Sequence, residues 1–239
     1  MNHPRNPRAT LWAFSYNGLT DATVMSIFRE WQGWPGLDFH IKGGDANIDR
    51  ARSKVASWYL KEPEETAGSV LLMVDSDNAW QTGDLAYIAK RALEQRAVVG
   101  GVYSKRAWGQ GVALRVASEG EWTIGEEELI PVDYVGTGFI AIPRDVLLAI
   151  SETLPMVTGD FQPFFMPMVV EHRGNYEYPT DDVAFCARVR EAGYPIFAST
   201  LPRLTHEGVY TYRVQDAYVE LHPDQDQTIS FQELAHVVV

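Results

Sequence analysis

The sequence has 239 residues, of which 46% are hydrophobic and 22% are charged, and its formal net charge is −12. This composition is typical of a soluble globular protein, and the acidic balance argues against an unaided, non-specific grip on nucleic acid. No apolar run approaches the ~20 residues of a membrane span, and the polar start of the chain has no apolar segment typical of a secretory signal. The single cysteine, Cys186, excludes an internal disulfide and fits a reducing compartment. We therefore expect a cytoplasmic protein without membrane insertion.

The first half of the chain predicts alternating strands and helices. Strands are expected at 10–16, 38–41, 70–74 and 97–103, where apolar, β-branched and aromatic residues are concentrated. Between them, amphipathic segments predict helices that begin near Thr20, near Asn47 and at about Thr82; the first has Val24, Ile27, Phe28 and Trp31 as its apolar residues. This alternation predicts a mostly parallel central sheet with helices on both faces.

The second half of the chain is richer in turn-forming and acidic stretches. Turn-rich acidic stretches surround 112–116 and 122–124, which predict a small antiparallel excursion from the sheet. A strand is expected at 139–142, a helix at 145–150, a second helix from Asp181, and a short strand at 195–199. The segment from Pro155 to Pro179 is rich in proline and aromatic residues, and we expect an ordered loop that faces a substrate. The predicted fold class is therefore α/β.

Two carboxylates follow the buried strand at 70–74, in the segment Asp75-Ser76-Asp77. Ligands of open α/β sheets bind just outside the carboxyl ends of the strands. In extended backbone, residues spaced i and i+2 point to one side, so Asp75 and Asp77 would present their oxygens together. Such oxygen donors suit Mg²⁺ or Mn²⁺. The alternative is a strand followed by a polar turn, since Asp and Ser favour turns.

Two further segments have a structural and a functional interpretation. Gly136-Thr137-Gly138 either lets the backbone approach a ligand closely or forms a bulge in a strand. The first turn of the helix after Asn47 carries Arg50, Arg52 and Lys54, which opposes the helix dipole. These cations either meet something anionic or form a solvated basic face.

Thr180, Asp181 and Asp182 open the helix that follows the aromatic loop. They either cap that helix, where the dipole favours negative charge, or supply carboxylates to a site. His206, within Thr205-His206-Glu207-Gly208, is either a ligand or a structural histidine, since metal binding requires partners.

The order of these motifs resembles the nucleotide-sugar-dependent glycosyltransferases of the GT-A fold, in particular small phage-type members of the large inverting family. The most specific stretch runs from Thr180 to Arg188 and is similar to the acidic-pair helix opening of that family, which is usually Glu-Asp; here Asp181 replaces the first acid. The resemblance covers Thr10 to Tyr212. It implies a single GT-A (Rossmann-like) domain over 1–239, with a nucleotide-sugar-binding half at about 9–103, an acceptor-side half at 104–212 and a C-terminal extension at 213–239.

The resemblance also implies a role for each matched residue. The expected reaction moves a hexosyl or pentosyl group from a UDP-sugar to an acceptor hydroxyl with inversion; retention is the alternative, since the same fold hosts both outcomes. Asp182, with Asp181 beside it, would be the catalytic general base. Mn²⁺ or Mg²⁺ would be bound by Asp75, Asp77 and His206. The donor would be bound by Phe14, Tyr16, Arg52, Asp75, Gly136, Thr137 and Gly138.

Relatives of the phage type point to hydroxymethylated pyrimidine in phage DNA as the acceptor, which would place the protein in the host cytoplasm. Such a base would have to be flipped out of the duplex, and a basic rim for phosphates is expected from Lys105, Arg106, Arg115, Arg144 and Arg173. A surface glycan, a lipid-linked sugar or a protein hydroxyl are alternative acceptors. A sugar nucleotidyltransferase is the second enzyme class, although no Gly-rich, Lys-containing signature opens the chain. A nucleotide-sugar-binding module without activity is the alternative that is not an enzyme.

The C-terminal segment from His222 to Leu234 is similar to a calcium-binding EF-hand loop in its later positions. It has His222 where the first Asp ligand belongs and Gln227 where the loop requires glycine. A capping box formed by Ser230 and Glu233 at a final helix is the preferred interpretation.

Overall fold

The computed structural model describes residues 6–106, 111–117, 120–126, 129–172, 174–208, 210–214 and 228–230. These residues contain the helices α1 (Asp21–Gly33), α2 (Ile48–Lys61), α3 (Glu64–Ala67), α4 (Asp84–Gln95), α5 (Arg144–Ser151) and α6 (Asp181–Glu191). The largest sheet contains β1 (Ala9–Ser15), β2 (Leu37–Gly43), β3 (Val70–Asp75), β5 (Val98–Gly101), β6 (Leu114–Val116), β8 (Ile130–Val135), β9 (Phe139–Pro143) and β12 (Ile196–Ser199). Three small sheets pair β4 (Asn78–Ala79) with β13 (Thr205–Glu207) and β14 (Thr211–Arg213), β7 (Glu121–Thr123) with β15 (Thr228–Ser230), and β10 (Val170–His172) with β11 (Asn175–Glu177).

The strands of the central sheet lie in the order β2-β1-β3-β9-β5-β12-β8-β6. β1 is parallel to β2 and β3, and β5 is parallel to β12. β9 lies antiparallel between β3 and β5, and β8 lies antiparallel between β12 and β6. All strands except β8 and β9 therefore run in one direction, and the predicted mostly parallel α/β sheet with a small antiparallel part is confirmed.

Alternating side chains of the strands divide the core into two layers. On β3, Leu71 and Met73 belong to one buried cluster, together with residues of α2, α5 and α6. Leu72 and Val74 belong to a second cluster, together with residues of α1 and α4. Because successive side chains of a strand point to opposite faces, this division shows that helices cover both faces of the sheet, as predicted.

The position of β9 is the main feature that the sequence did not predict. β9 pairs with β3 from Val70 opposite Pro143 to Val74 opposite Phe139, so it enters the sheet beside the carboxyl end of β3. The Gly136-Thr137-Gly138 turn immediately precedes β9. The turn therefore lies next to Asp75, whose backbone N–H donates to the Gly138 carbonyl at 2.9 Å.

Helix α1 begins as predicted but buries less of its apolar surface than expected. Thr20 is its N-cap, and the Thr20 hydroxyl accepts a hydrogen bond from the Thr23 N–H at 3.3 Å. Three of the apolar residues from which this helix was predicted are about half exposed: Val24 (46%), Phe28 (48%) and Trp31 (51%). They line an open apolar groove of about 500 Å³ between α1 and β2. β2 is the edge strand in the described part of the sheet, so no further strand supports this side of α1.

The aromatic segment between α5 and α6 is not a plain loop. It contains the hairpin of β10 and β11. Phe164 and Phe165 are fully buried, and the Phe165 ring stacks on Phe185 with centroids 4.3 Å apart. The expectation that the aromatic residues face a substrate is therefore wrong for these phenylalanines, which anchor the segment on α6. Tyr176 and Tyr178 of the same segment are exposed.

Most of the segment that is similar to an EF-hand lies outside the described residues. Within it, Thr228–Ser230 forms β15 and pairs antiparallel with β7. Glu233, the second member of the predicted capping box, lies outside the described residues as well. Among the helices that are described, none has the length and apolar character required to cross a membrane.

Candidate active site

Asp75 and Asp77 lie at the carboxyl end of β3 but have different partners. β3 ends at Asp75, and the chain then turns through Ser76 and Asp77 into β4, which pairs with β13. The extended backbone that would point both carboxylates to one side therefore stops at Asp75. Asp75 accepts a hydrogen bond from Arg52, whereas Asp77 accepts one from Arg106. The site consists of two neighbouring groups of side chains, one around each aspartate.

The guanidinium of Arg52 is the centre of the first group. The Arg52 side chain is 4% exposed, its Nη2 donates to Asp75 Oδ1 at 2.5 Å, and its Nη1 donates to Asp181 Oδ2. Nη1 also lies 3.6 Å from Asp182 Oδ1. Burial alone would lower the pKa of Arg52, but the three carboxylates outweigh it and hold the pKa above its ordinary value. Arg52, which the resemblance assigns to donor binding, holds three acids from distant parts of the chain together.

The other cations in the first turns of α2 are also neutralised within the protein. Arg50 Nη2 lies 2.5 Å from Asp45 Oδ1, and Lys54 Nζ lies 3.3 Å from Asp45 Oδ2. The hydrogen bond from Arg50 holds the pKa of Asp45 well below its ordinary value. The anionic groups that the sequence suggested for this helix start are therefore the protein's own carboxylates.

Asp181 and Asp182 open α6, but they are held differently. Thr180 occupies the N-cap position, and its side chain makes no capping hydrogen bond. Asp181, with a side chain that is 12% exposed, pairs with Arg52. Asp182 is 28% exposed and accepts a hydrogen bond from Thr137 Oγ1 at 3.0 Å. Of the two acids, Asp182 is the more accessible to a second substrate.

The environment of Asp182 favours the protonated form of this side chain more than an exposed environment would. Burial is the largest cause, and the neighbouring Asp181 and Asp75 add to it, whereas Arg52 and Thr137 oppose it. Together these effects raise the pKa of Asp182 to about 7. A carboxylate with a pKa near neutrality is suited to accept a proton from a weakly acidic group.

The Gly136-Thr137-Gly138 turn is packed tightly against the site. The Gly138 N–H donates to the Tyr103 hydroxyl at 3.0 Å, and Asn78 Nδ2 donates to the Gly138 carbonyl at 2.9 Å. A Cβ at Gly136 would lie 2.2 Å from the Tyr103 hydroxyl oxygen. Sequence reasoning missed Tyr103 and Asn78 as site residues. Tyr103 ends a predicted strand at the same edge of the sheet as Asp75, and this position was the available signal.

We expect Gly138→Ala to destabilise the protein, because the new methyl group has no space. A Cβ at Gly138 would lie 2.4 Å from Asn78 Nδ2 and 2.9 Å from Asp75 Oδ2. Overpacking of this kind costs about 1–3 kcal/mol, which urea denaturation would measure. Gly33→Ala is the matched control, since nothing lies within 4 Å of a Cβ at Gly33. Equal unfolding free energies for the two variants would contradict the close packing at Gly138.

The second group of side chains brings Asp77 and His206 together. His206 lies on β13 opposite Asn78 of β4, and its Nε2 is 3.5 Å from Asp77 Oδ1. The His206 Nδ1 lies 2.9 Å from the Ser104 carbonyl oxygen, which can only accept, so Nδ1 carries the proton in that hydrogen bond. In neutral His206 the Nε2 lone pair therefore faces a carboxylate oxygen. Two electron-pair donors placed opposite each other in this way fit a cation between them.

The hydrogen bond to Ser104 is the arrangement found in metal-binding histidines, which usually donate their second ring N–H to a carbonyl or carboxylate. Burial alone would raise the pKa of Asp77, but Arg106 and the N–H and positive charge of His206 in its protonated form outweigh it and lower the pKa below its ordinary value. Asp77 is therefore in its ligand-competent, ionised form. The predicted metal residues Asp77 and His206 are brought together by the structure.

The predicted third metal residue, Asp75, is not part of this pair, because Arg52 holds it. Among the described residues, no three His, Cys, Asp or Glu side chains form a group that could hold a metal ion by themselves. Mg²⁺ is usually bound through one or two carboxylates together with substrate phosphates. Asp77 and His206 fit such a partial ligand set, and the remaining ligands would come from the donor and water.

The predicted nucleobase residues at the end of β1 differ in accessibility. Phe14 is 3% exposed, and its ring packs against the Arg52 guanidinium with 5.7 Å between the ring centroid and Cζ. Tyr16 is 69% exposed. Phe14 therefore packs against Arg52, and Tyr16 is the residue of this pair that is open to a ligand.

The predicted basic rim is largely occupied by interactions within the protein. Arg106 pairs with Asp77, and Arg115 pairs with Glu177 at 3.2 Å. Arg144 donates to backbone carbonyls at the end of α2. Arg173 lies outside the described residues. The described arginines thus do not form a free row of cations for a nucleic-acid backbone.

Comparison with solved structures identifies the fold. The protein A197 from STIV is similar over 84% of this chain and 86% of its own, with a TM-score of 0.56 and 17% sequence identity. GalNAc-T7, in a structure with UDP, GalNAc and Mn²⁺, is similar over 89% of this chain with a TM-score of 0.52 and 12% identity. The chain has a GT-A-like fold. It spans 45% of the GalNAc-T7 chain, and neither a protein-family profile nor a curated protein matches the sequence.

Proposed function

We propose that the protein is a metal-dependent glycosyltransferase that moves a sugar from a nucleotide-sugar to an acceptor hydroxyl. The observation that carries the proposal is the arrangement of Asp77, His206 and Asp182 at the carboxyl edge of the sheet. There, an ionised carboxylate faces an imidazole whose orientation is fixed by the Ser104 carbonyl, and a carboxylate with a pKa of about 7 lies on the neighbouring helix. The GT-A-like fold, shared with a protein whose structure contains UDP and Mn²⁺, supports a UDP-sugar as donor.

The charges of the site support a divalent cation. Four carboxylates, those of Asp75, Asp77, Asp181 and Asp182, face the two guanidinium groups of Arg52 and Arg106. This leaves a formal charge of −2, which would oppose the binding of an anionic diphosphate. Mn²⁺ or Mg²⁺ held by Asp77 and His206 would neutralise that charge and the charge that develops on the leaving diphosphate.

Asp182 is suited to the role of general base. An alcohol is a poor nucleophile until its proton is removed, and Asp182 has the exposure and the raised pKa for this task. Thr137 orients the carboxylate by donating to Oδ1. If Asp182 only removes the proton and does not attack the sugar, one displacement transfers the sugar and inverts its anomeric centre. The neighbouring Asp181, bound by Arg52, positions that guanidinium beside the base.

These proposed roles assign the two halves of the chain to different substrates. Residues 9–103 would bind the donor, since they include Tyr16 and Asp77, and residues 104–212 would bind the acceptor beside Asp182 while His206 completes the metal site from that half. The proposal describes the acceptor as a hydroxyl group. Hydroxymethylated DNA gains no support from the described arginines and is one arm of an acceptor screen, beside glycans and protein hydroxyls.

Asp77→Ala is expected to abolish donor binding that depends on metal. The wild type should be stabilised against heat by at least one UDP-sugar when Mn²⁺ is present and should slowly release UDP from it, because water replaces the acceptor. Asp77→Ala should lose both effects. Asp38→Ala is the matched control. Asp38 lies on β2, and its half-exposed carboxylate pairs with Arg8. If the wild type binds no nucleotide-sugar with metal present, the proposed function fails.

A further inference from the structure

Arg106 forms an ion pair with Asp77, the carboxylate that the proposed metal site requires. Its Nη1 donates to Asp77 Oδ2 at 2.8 Å, while the other oxygen of Asp77 faces His206. In this arrangement both oxygens of Asp77 are engaged, one by a guanidinium and one by an imidazole. Arg106 therefore stands in the protein as a cation beside the place where a divalent ion would bind.

The backbone before Arg106 is held by pairing with the segment at Gly111 and Val112, whereas the Arg106 side chain is largely exposed. Ser104 bridges to Val112, and the Lys105 N–H donates to the Gly111 carbonyl at 3.1 Å. By contrast, the Arg106 side chain is 57% exposed, and Asp77 is the partner of its guanidinium. Asp77 is 16% exposed, and a largely buried carboxylate is destabilised when its cation is removed without replacement. Arg106 can therefore leave Asp77 when another cation takes its place there.

The aliphatic part of Arg106 lies beside Gly208. A Cβ built at Gly208 would lie 3.5 Å from Arg106 Cδ, so the aliphatic part of the arginine runs beside a residue without a side chain. Gly208 follows His206 by two positions on the same segment. Arg106 therefore lies next to the segment that carries His206, and its guanidinium lies beside the proposed metal site.

We infer that Arg106 is a donor-binding residue that exchanges partners: it pairs with Asp77 in the free protein and contacts the donor diphosphate once Asp77 binds a divalent cation. This inference rests on the proposed function and adds a residue to it. A guanidinium is always charged and matches two phosphate oxygens with two parallel N–H groups. The diphosphate would arrive with the cation that displaces Arg106, so the arginine loses one anionic partner and gains another.

The exchange predicts opposite effects of one substitution on two ligands. In Arg106→Gln, Mn²⁺ alone should bind more tightly, because its competitor for Asp77 is removed. UDP in the presence of saturating Mn²⁺ should bind about tenfold more weakly, because a charge-assisted hydrogen bond is lost. UMP should be affected less than UDP. A residue that merely stabilised the fold would not move the two affinities in opposite directions.

The experiment titrates Mn²⁺ alone by water-proton relaxation, and UDP and UMP by calorimetry, into the wild type, Arg106→Gln and Lys105→Gln. Lys105→Gln is the matched control, since it removes the neighbouring positive charge. Suppose that the wild type binds UDP, and that the affinities of Arg106→Gln and Lys105→Gln for Mn²⁺ and for UDP differ by less than about twofold. The role of Arg106 is then overturned while the proposed function stands. If the wild type binds Mn²⁺ but no UDP, the proposed function fails and the exchange fails with it. Tighter Mn²⁺ binding and weaker UDP binding in Arg106→Gln alone would support the exchange.

Discussion

Asp182→Asn is expected to slow sugar transfer by about 10²–10⁴-fold, the usual contribution of a positioned general base. The amide keeps the size of the carboxylate and can still meet the Thr137 hydroxyl, so the helix start should remain in place. Donor binding should stay close to wild type, because the proposed donor contacts lie on Asp77, His206 and Tyr16. Rates of transfer to a positive acceptor and the affinity for UDP with Mn²⁺ would measure the two effects separately. Unchanged transfer would exclude Asp182 as the base.

The pH dependence of transfer provides an independent check on Asp182. A base must be deprotonated to work, and burial together with Asp181 and Asp75 raises the pKa of Asp182 to about 7. The rate should therefore rise with pH below about 7 and level off above it. Thr137→Val removes a hydrogen bond that lowers this pKa, so its profile should shift to higher pH. A rate that is flat across neutral pH would contradict the assignment, provided that proton transfer limits the rate.

The features that the sequence predicted correctly depend on local patterns. The alternation of apolar strands with amphipathic helices sufficed for the α/β sheet, since side-chain periodicity is a property of neighbouring residues. The start of α1 at Thr20 followed from capping chemistry. Asp75 was found at a strand end for the same reason, because a buried apolar run stops where a polar segment begins.

The partners of these residues were not predictable, because they depend on pairing between distant segments. Arg52 bonds to Asp181, 129 positions further along the chain, and no local pattern distinguishes such a buried arginine from a solvated one. The insertion of β9 beside β3 also joins segments about 70 residues apart, and it is this pairing that brings Gly138 to Asp75. The sequence thus indicated several of the candidate site residues, and the tertiary structure decides which of them bind each other.

Arg52→Met is expected to lower the free energy of unfolding by about 3–5 kcal/mol, the range measured when one partner of a buried ion pair is removed. The methionine fills much of the same space, so the loss would come mainly from charge. Asp75, Asp181 and Asp182 would face one another around a site in which Arg52 had supplied the positive charge. Urea denaturation at pH 7 would measure the effect, since the midpoint and slope give the unfolding free energy.

Arg50→Met is the matched control, because Arg50 lies on the same helix, pairs with Asp45 and has a side chain that is 44% exposed. A smaller loss is expected there, because Arg50 itself is exposed and Lys54 still pairs with the buried Asp45 carboxylate when Arg50 is removed. The destabilisation of Arg52→Met should also shrink as the pH falls. Arg52 lowers the pKa of Asp182, so without it Asp182 of the folded variant takes up a proton at a higher pH than Asp182 of the folded wild type does. Acid therefore removes from the variant the carboxylate repulsion that Arg52 offsets in the wild type. Equal losses in both variants, or a loss for Arg52→Met that is constant with pH, would show that Arg52 acts through packing rather than charge.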